Sequence, residues 1–187
     1  METWQHPMQR KARARLRMAR DYIARADYRS ALSFLRSALR GLEKEPASSI
    51  DRAYCYIELA RCYNLQGEAE GAAYYAQWAL NLLRNVWGAE IAEADARLEL
   101  GLANMQVGNW RKAERLLVDA YDAFAKHQMW GKAAKCVENI GLLAKQQGQI
   151  VRAINALSFA RRLYQQIEDM DRIRRTEQLL RELITED

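Results

Sequence analysis

The chain has 187 residues with only nine Gly and two Pro, and it carries a formal net charge of +5. That length can bury a substantial core, and abundant Ala, Leu, Arg, Glu and Gln with few breakers excludes a strand-rich fold. No run approaches the roughly eighteen apolar residues of a membrane span, and the basic N-terminal stretch lacks the apolar segment of a secretory signal.

In chain order, residues 1–7 show no periodicity and read as a lead-in, with Pro7 tolerated at a helix start. A first helix is expected from Met8 to Arg25, with Leu16, Met18, Ala19, Tyr22 and Ile23 inward. Asp27 is placed to cap a second helix, Tyr28 to about Glu43, whose apolar positions are Leu32, Phe34, Leu35, Ala38, Leu39 and Leu42. The run Glu45-Pro46-Ala47-Ser48-Ser49 is the clearest break in the chain. A second pair runs from Ile50 to Gln66, turns at Gly67 and continues from Glu68 to Trp87, with Gly88 as a left-handed terminus. A third spans Ala89 to Val107, turns at Gly108 and resumes at Trp110 with Asn109 as its cap. A fourth runs from Lys132 to Gln147, turns at Gly148 and reaches about Ile167. After a polar break, Arg172 to Thr185 places Ile173, Leu179, Leu180, Leu183 and Ile184 on one side and charges on the other, the pattern of a terminal cap.

The pairs are copies of one another. Ala19, Ala31 and Ala38 recur as Ala60, Ala72, Ala79, as Gly101, Ala113, Ala120, and as Gly141, Ala153, Ala160, at offsets of 41, 41 and 40 residues. A turn falls at the same place in each: Asp27-Tyr28, Gly67-Glu68, Gly108-Asn109 and Gly148-Gln149. Self-similarity at such a period predicts stacked helical hairpins.

The copies resemble the tetratricopeptide repeat family over about residues 12 to 167. The carriers are the small residue of each first helix, the paired alanines of each second helix, and Leu59-Ala60 with Tyr63, Leu100-Gly101, Ile140-Gly141 and Met18-Ala19 with Tyr22. Two departures stand out. The repeat is 40 or 41 residues rather than about 34. The extra residues fall where one hairpin hands over to the next, which makes this a long-repeat form. The aromatic residue usual early in the first helix is present as Tyr56 but replaced by Arg15, Arg97 and Val137.

The resemblance implies an all-α, right-handed solenoid of four hairpins and a capping helix, forming one domain over residues 1–187. Its repeats would cover about 8–45, 49–88, 89–130 and 131–168, with the cap at about 171–185. It also implies a scaffold or adaptor that holds a protein or peptide segment in a concave groove lined by the first helices. A regulatory peptide-sensing domain acting on a separate output protein is the alternative. Register assigns the groove Arg13, Arg17, Arg20, Tyr54, Arg61, Asn64, Leu98, Leu102, Met105, Asn139, Leu142 and Lys145. Such a groove is basic at one end and apolar toward the other, matching a peptide with acidic residues and a hydrophobic anchor.

Charge is unevenly spread: residues 1–40 carry +7 and the rest −2. The Arg10–Arg20 cluster offers phosphate contacts, but no DNA-reading element accompanies it, so nucleic acid is the lesser partner. Cys55, Cys62 and Cys136 form no disulfide framework and are expected as core residues in a reducing compartment, the cytoplasm. His6 and His127 lack further ligands at metal spacing, and no phosphate loop or nucleophile arrangement is present. Hence no cofactor, metal or catalytic role is expected. Trp110 is expected to be structural, Trp78 to pack in the core or lie on the convex surface, Trp87 and Trp130 to cover joints between repeats, and Trp4 to be free for an interaction or a dimer contact.

Overall fold

The computed structural model describes residues 7–43 and 49–185; Trp4 and the break at residues 45–48 lie outside them. Among the described residues there are nine helices and no strands. They are α1 (Pro7–Ala24), α2 (Tyr28–Glu43), α3 (Ser49–Gln66), α4 (Ala69–Leu83), α5 (Glu90–Gln106), α6 (Trp110–Lys126), α7 (Trp130–Gln146), α8 (Ile150–Gln166) and α9 (Met170–Thr185). Each helix packs on the next, and α1, α3, α5 and α7 also pack on one another in series. The odd-numbered helices therefore form a close inner layer, and the even-numbered ones flank it on the outside.

The repeated small residues are what allow this packing. Ala19, Ala60, Ala31, Ala72, Ala113, Ala153 and their partners Ala38, Ala79, Ala120 and Ala160 are fully buried. Each lets two helix backbones approach where a longer side chain would hold them apart. Sixteen residues after the small position stands its counterpart on the second helix: Leu35, Ala76, Leu117 or Leu157. A Cβ built on Gly101 would lie 3.1 Å from Leu117 Cγ, and one on Gly141 only 2.8 Å from Leu157 Cγ. Glycine opposite leucine in the third and fourth hairpins thus matches alanine opposite alanine in the second.

The hairpin turns are equivalent too. Gly67, Gly108 and Gly148 have φ of 79°, 75° and 70°, and Ala26 fills the same place in the first hairpin with φ 58°. An alanine there carries a cost of about 1–2 kcal/mol that glycine avoids. The junctions between hairpins repeat the device with Gly88, Gln128 and Glu168, all at positive φ.

Several local expectations need correction. Helix α4 ends at Leu83 rather than running to Trp87, because Asn85 at φ 63° and Gly88 at φ 76° break the helical path. Trp87 is left 97% exposed and covers no joint. Asp27 caps α2 by accepting a hydrogen bond from the Ser30 amide at 3.1 Å. Asn109 does not cap α6; its amide nitrogen lies 3.4 Å from the Asn104 side-chain oxygen instead. In α9, Ile173, Thr176, Leu180 and Leu183 are buried against α8, but Ile184 faces solvent. The three cysteines are buried in the core, and burial pushes each thiol up to about 12, which keeps it protonated and unreactive.

Candidate functional site: the concave groove

The inner layer walls a groove of about 620 Å³ that takes residues from all five odd-numbered helices. Ile23 of α1, Leu65 of α3, and Leu102 and Met105 of α5 give it apolar surface. Asn64, Gln106, Asn139 and Gln146 bring amides, and Arg61, Glu99, Lys135 and Arg172 bring charge. Even spacing of the small residues turns the same face of each odd helix toward the groove, so residues about 40 apart in sequence become neighbours.

Of the residues assigned from register, Arg61, Asn64, Leu102, Met105 and Asn139 line this groove. Leu98 does not: at 1% exposure it belongs to the core between α5 and α6, where it packs with Leu117 and Phe124. Leu142 is half-buried against the same core. Lys145 turns toward the capping helix, 3.6 Å from Glu182. Tyr54 is half-buried beneath Arg20, whose guanidinium lies 5.8 Å from the ring centroid.

The basic end of the groove also reads differently in three dimensions. Arg17 is exposed, but Arg13 and Arg20 are committed to carboxylates of the next hairpin. Arg13 donates to both oxygens of Asp51 at 2.8 and 3.1 Å, and Arg20 Nε donates to Glu58 at 2.7 Å. Glu58 also accepts from Arg61 at 3.1 Å, and Arg61 Nε reaches on to Glu99 at 3.2 Å. Glu99 accepts further from Asn64 at 2.9 Å and lies 3.8 Å from Lys135. Beyond it, Glu138 accepts from Tyr164 at 2.7 Å and pairs with Arg172 and Arg175 of the cap at 3.3 Å each.

These carboxylates, together with Asp95, are the part of the site that register alone misses. Asp51, Glu58, Asp95, Glu99 and Glu138 are all buried, between 1% and 7% exposed. Burial by itself would raise the Glu99 pKa; Lys135, Arg61 and Asn64 outweigh it and hold the carboxyl below its ordinary value. Burial likewise opposes the charge on Arg61, but Glu58 and Glu99 outweigh it and raise its pKa. Asp95 is the exception. Burial raises its pKa even though Lys132 donates to it at 2.6 and 2.7 Å. The face is thus an alternating ladder of charges, each rung joining one hairpin to the next.

Two amides frame the apolar part. Asn64 donates to the Glu99 carbonyl at 2.9 Å, and its own carbonyl accepts from Gln106 at 3.1 Å. Asn139 donates to the Lys135 carbonyl of its own helix at 2.7 Å. Among the described residues no group of three or more His, Cys, Asp or Glu is arranged to hold a metal, and no helix is long and apolar enough to cross a membrane.

Comparison with protein-family models found no match, and comparison with curated proteins found no significant one. Solved structures do match. The apo form of RapI superposes with a TM-score of 0.75 at 15% identity, covering 94% of this chain and 63% of that one. The Rap conjugation gene regulator of plasmid pLS20, in complex with the Phr* peptide, gives 0.77 at 17% identity over 91% of this chain and 47% of its own. A putative kinesin light chain of Podosopora anserina with nearly identical TPR-like repeats gives 0.67 at 18% identity over 100% and 98%. The chain thus spans less than two thirds of the Rap structures it matches. What these likenesses share with the chain is the fold, and that fold is the tetratricopeptide-type helical repeat.

Proposed function

We propose that the chain is a peptide-binding scaffold or adaptor that holds a segment of a partner protein in its concave groove. The observation that carries this reading is the groove itself, assembled from all five odd-numbered helices, apolar between α1 and α5 and edged by amides. A peptide has main-chain groups every residue and apolar side chains at intervals, and this wall offers partners to both. The Phr* complex of the pLS20 regulator supports the reading by showing a peptide bound by a protein of the same fold.

The finer chemistry follows from which groups are already engaged. An aliphatic or aromatic anchor fits over Ile23, Leu102 and Met105. An acidic side chain of the partner fits nearest Lys135, whose own carboxylate contact is a long 3.8 Å, rather than at Arg13 and Arg20. No catalytic step is proposed. The three free cysteines favour a reducing compartment, and we place the protein in the cytoplasm on that ground.

The test begins with partners co-purified from the native source, followed by mapping on overlapping peptides of each. Leu102→Glu and Asn139→Ala are expected to weaken the mapped peptide by about tenfold or more with an unchanged melting temperature. Unchanged affinity in both variants would rule the groove out.

A further inference from the structure

The outer face of the second hairpin carries aromatic rings that the repeat does not need. Tyr74 is 58% exposed and Trp78 44% exposed, both on α4. They adjoin a cluster in which Tyr56 stacks on Tyr75 at 6.1 Å and on Trp78 at 6.2 Å, and Tyr63 stacks on Tyr75 at 5.3 Å. Tyr74 meets Tyr75 and Trp78 edge-on.

The other three hairpins serve as internal controls. At the position of Tyr74 they carry Ser33, Arg115 and Asn155, and at that of Trp78 they carry Ser37, Asp119 and Phe159. The same backbone therefore folds with Ser, Arg or Asn where the second hairpin exposes Tyr74, so packing alone does not account for that ring, whereas the fourth hairpin keeps an aromatic, Phe159, in the place of Trp78.

Beside these rings runs the outer side of α2, with Arg29, Arg36 and Arg40 exposed along it. Tyr75 packs against the core shared by α1, α2 and α3, and Arg36 of α2 is near enough for its charge to act on the Tyr75 hydroxyl. Of the inner-face arginines, Arg13, Arg20 and Arg61 are each paired with a buried carboxylate, and Arg17 is exposed. Arg36 and Arg40 have no carboxylate partner among the described residues. Again the repeat does not require them: the positions of Arg36 hold Gln77, Val118 and Ser158 elsewhere.

We propose that the outer face of α2 and α4 is a second docking surface, for an amphipathic acidic helix of a partner protein. Exposed Trp, Tyr and Arg together are the residues that dominate protein–protein binding energy. Charge complementarity selects the sign of the partner, since Arg36 and Arg40 meet no acid of their own. Tyr56, Tyr63 and Tyr75 stack on one another, so the cluster is no row of free faces for the successive bases of a single strand. What remains open is a ring-edged apolar surface beside a basic row, which matches a helix with one apolar and one acidic face. This surface lies on the opposite layer from the groove and stands whether or not the groove binds a peptide.

The experiment is affinity selection of a random peptide library on the full chain, with binding measured for the enriched sequences. Enrichment of acidic peptides with apolar residues at helical spacing is expected. Tyr74→Ser and Arg36→Gln, which borrow residues the chain already tolerates at equivalent positions, should weaken them by about tenfold, and Leu102→Glu in the groove should leave them unchanged. Enriched peptides that ignore Tyr74→Ser and Arg36→Gln, or that lack acidic residues, would overturn the proposal. So would single-stranded oligo(dT) that binds wild type and is lost in Tyr74→Ser, which would reassign the surface to nucleic acid.

Discussion

Glu99 shows how a single residue is held charged inside a helical layer. It is 1% exposed and surrounded by Arg61, Lys135 and Asn64, so its folded pKa lies below the ordinary value. Its stabilising effect is fully present above the unfolded glutamate value of about 4.3 and is lost as pH falls through the lowered folded one. Glu99→Gln is expected to cost roughly 3 kcal/mol at neutral pH, because Arg61 and Lys135 lose their shared partner. Urea titrations of variant and wild type should converge as pH drops below the usual carboxylate range; a gap that persists in acid would show that packing, not charge, is at stake. Asp95 behaves in the opposite sense: its raised pKa makes its burial a cost at neutral pH that acid relieves. None of this was visible in the residues one by one, since a lone Glu on a helix reads as solvated. Alignment of the copies holds the signal, for Glu58 and Glu99 both stand two residues before the small position, and Arg20 and Arg61 one residue after it.

Among the elements, the hairpins were the most legible part of the chain, because a repeated small residue has one physical reading: two helices must come close there. The spacing also located the turns, although Ala26 adopts the left-handed conformation without a glycine to announce it. Where no repeat signal existed, at the end of α4, the apolar run through Val86 and Trp87 misled, and Asn85 and Gly88 decided the boundary. The pairing of glycine with leucine across the third and fourth hairpins makes a specific prediction. Gly141→Ala gains about 1 kcal/mol of helix propensity but meets Leu157 at 2.8 Å, and the clash costs about 1–3 kcal/mol. The net effect in urea unfolding should be destabilising. In a Leu157→Ala background only the approach to the backbone nitrogen of residue 157, at 3.3 Å, remains, and the same substitution should be clearly less destabilising; equal effects in both backgrounds would refute the pairing. Gly101→Ala, facing Leu117 at 3.1 Å, should be the milder of the two.

At the scale of the whole molecule, stability depends on how hairpins meet. Six residues before the small position stand Arg13, Tyr54 and Asp95 in the first three hairpins. Nine residues before it in the next hairpin stand Asp51, Ala92 and Lys132. The first junction is therefore basic to acidic, the second apolar, and the third acidic to basic, with Lys132 on Asp95. The two charged junctions are mirror images of one contact. Asp95→Arg and Lys132→Asp should each lower stability by about 2 kcal/mol, given that the cations are partly exposed. The double variant rebuilds the Arg13–Asp51 arrangement and should regain most of the loss; no recovery in a double-mutant cycle would break the equivalence. The groove was legible only in part for the same reason. Register identified which faces point inward, but which inward residues are free for a partner depends on contacts between hairpins.

The polarity of those junctions also works as an address. If the first hairpin docked directly on the fourth, Arg13 would meet Lys132, and if the third docked on the second, Asp95 would meet Asp51. Like charges brought together there disfavour both arrangements. Four hairpins with nearly the same backbone could otherwise stack in many orders, within one chain or between neighbouring chains during synthesis. In the sequence order each of the two charged junctions finds its opposite.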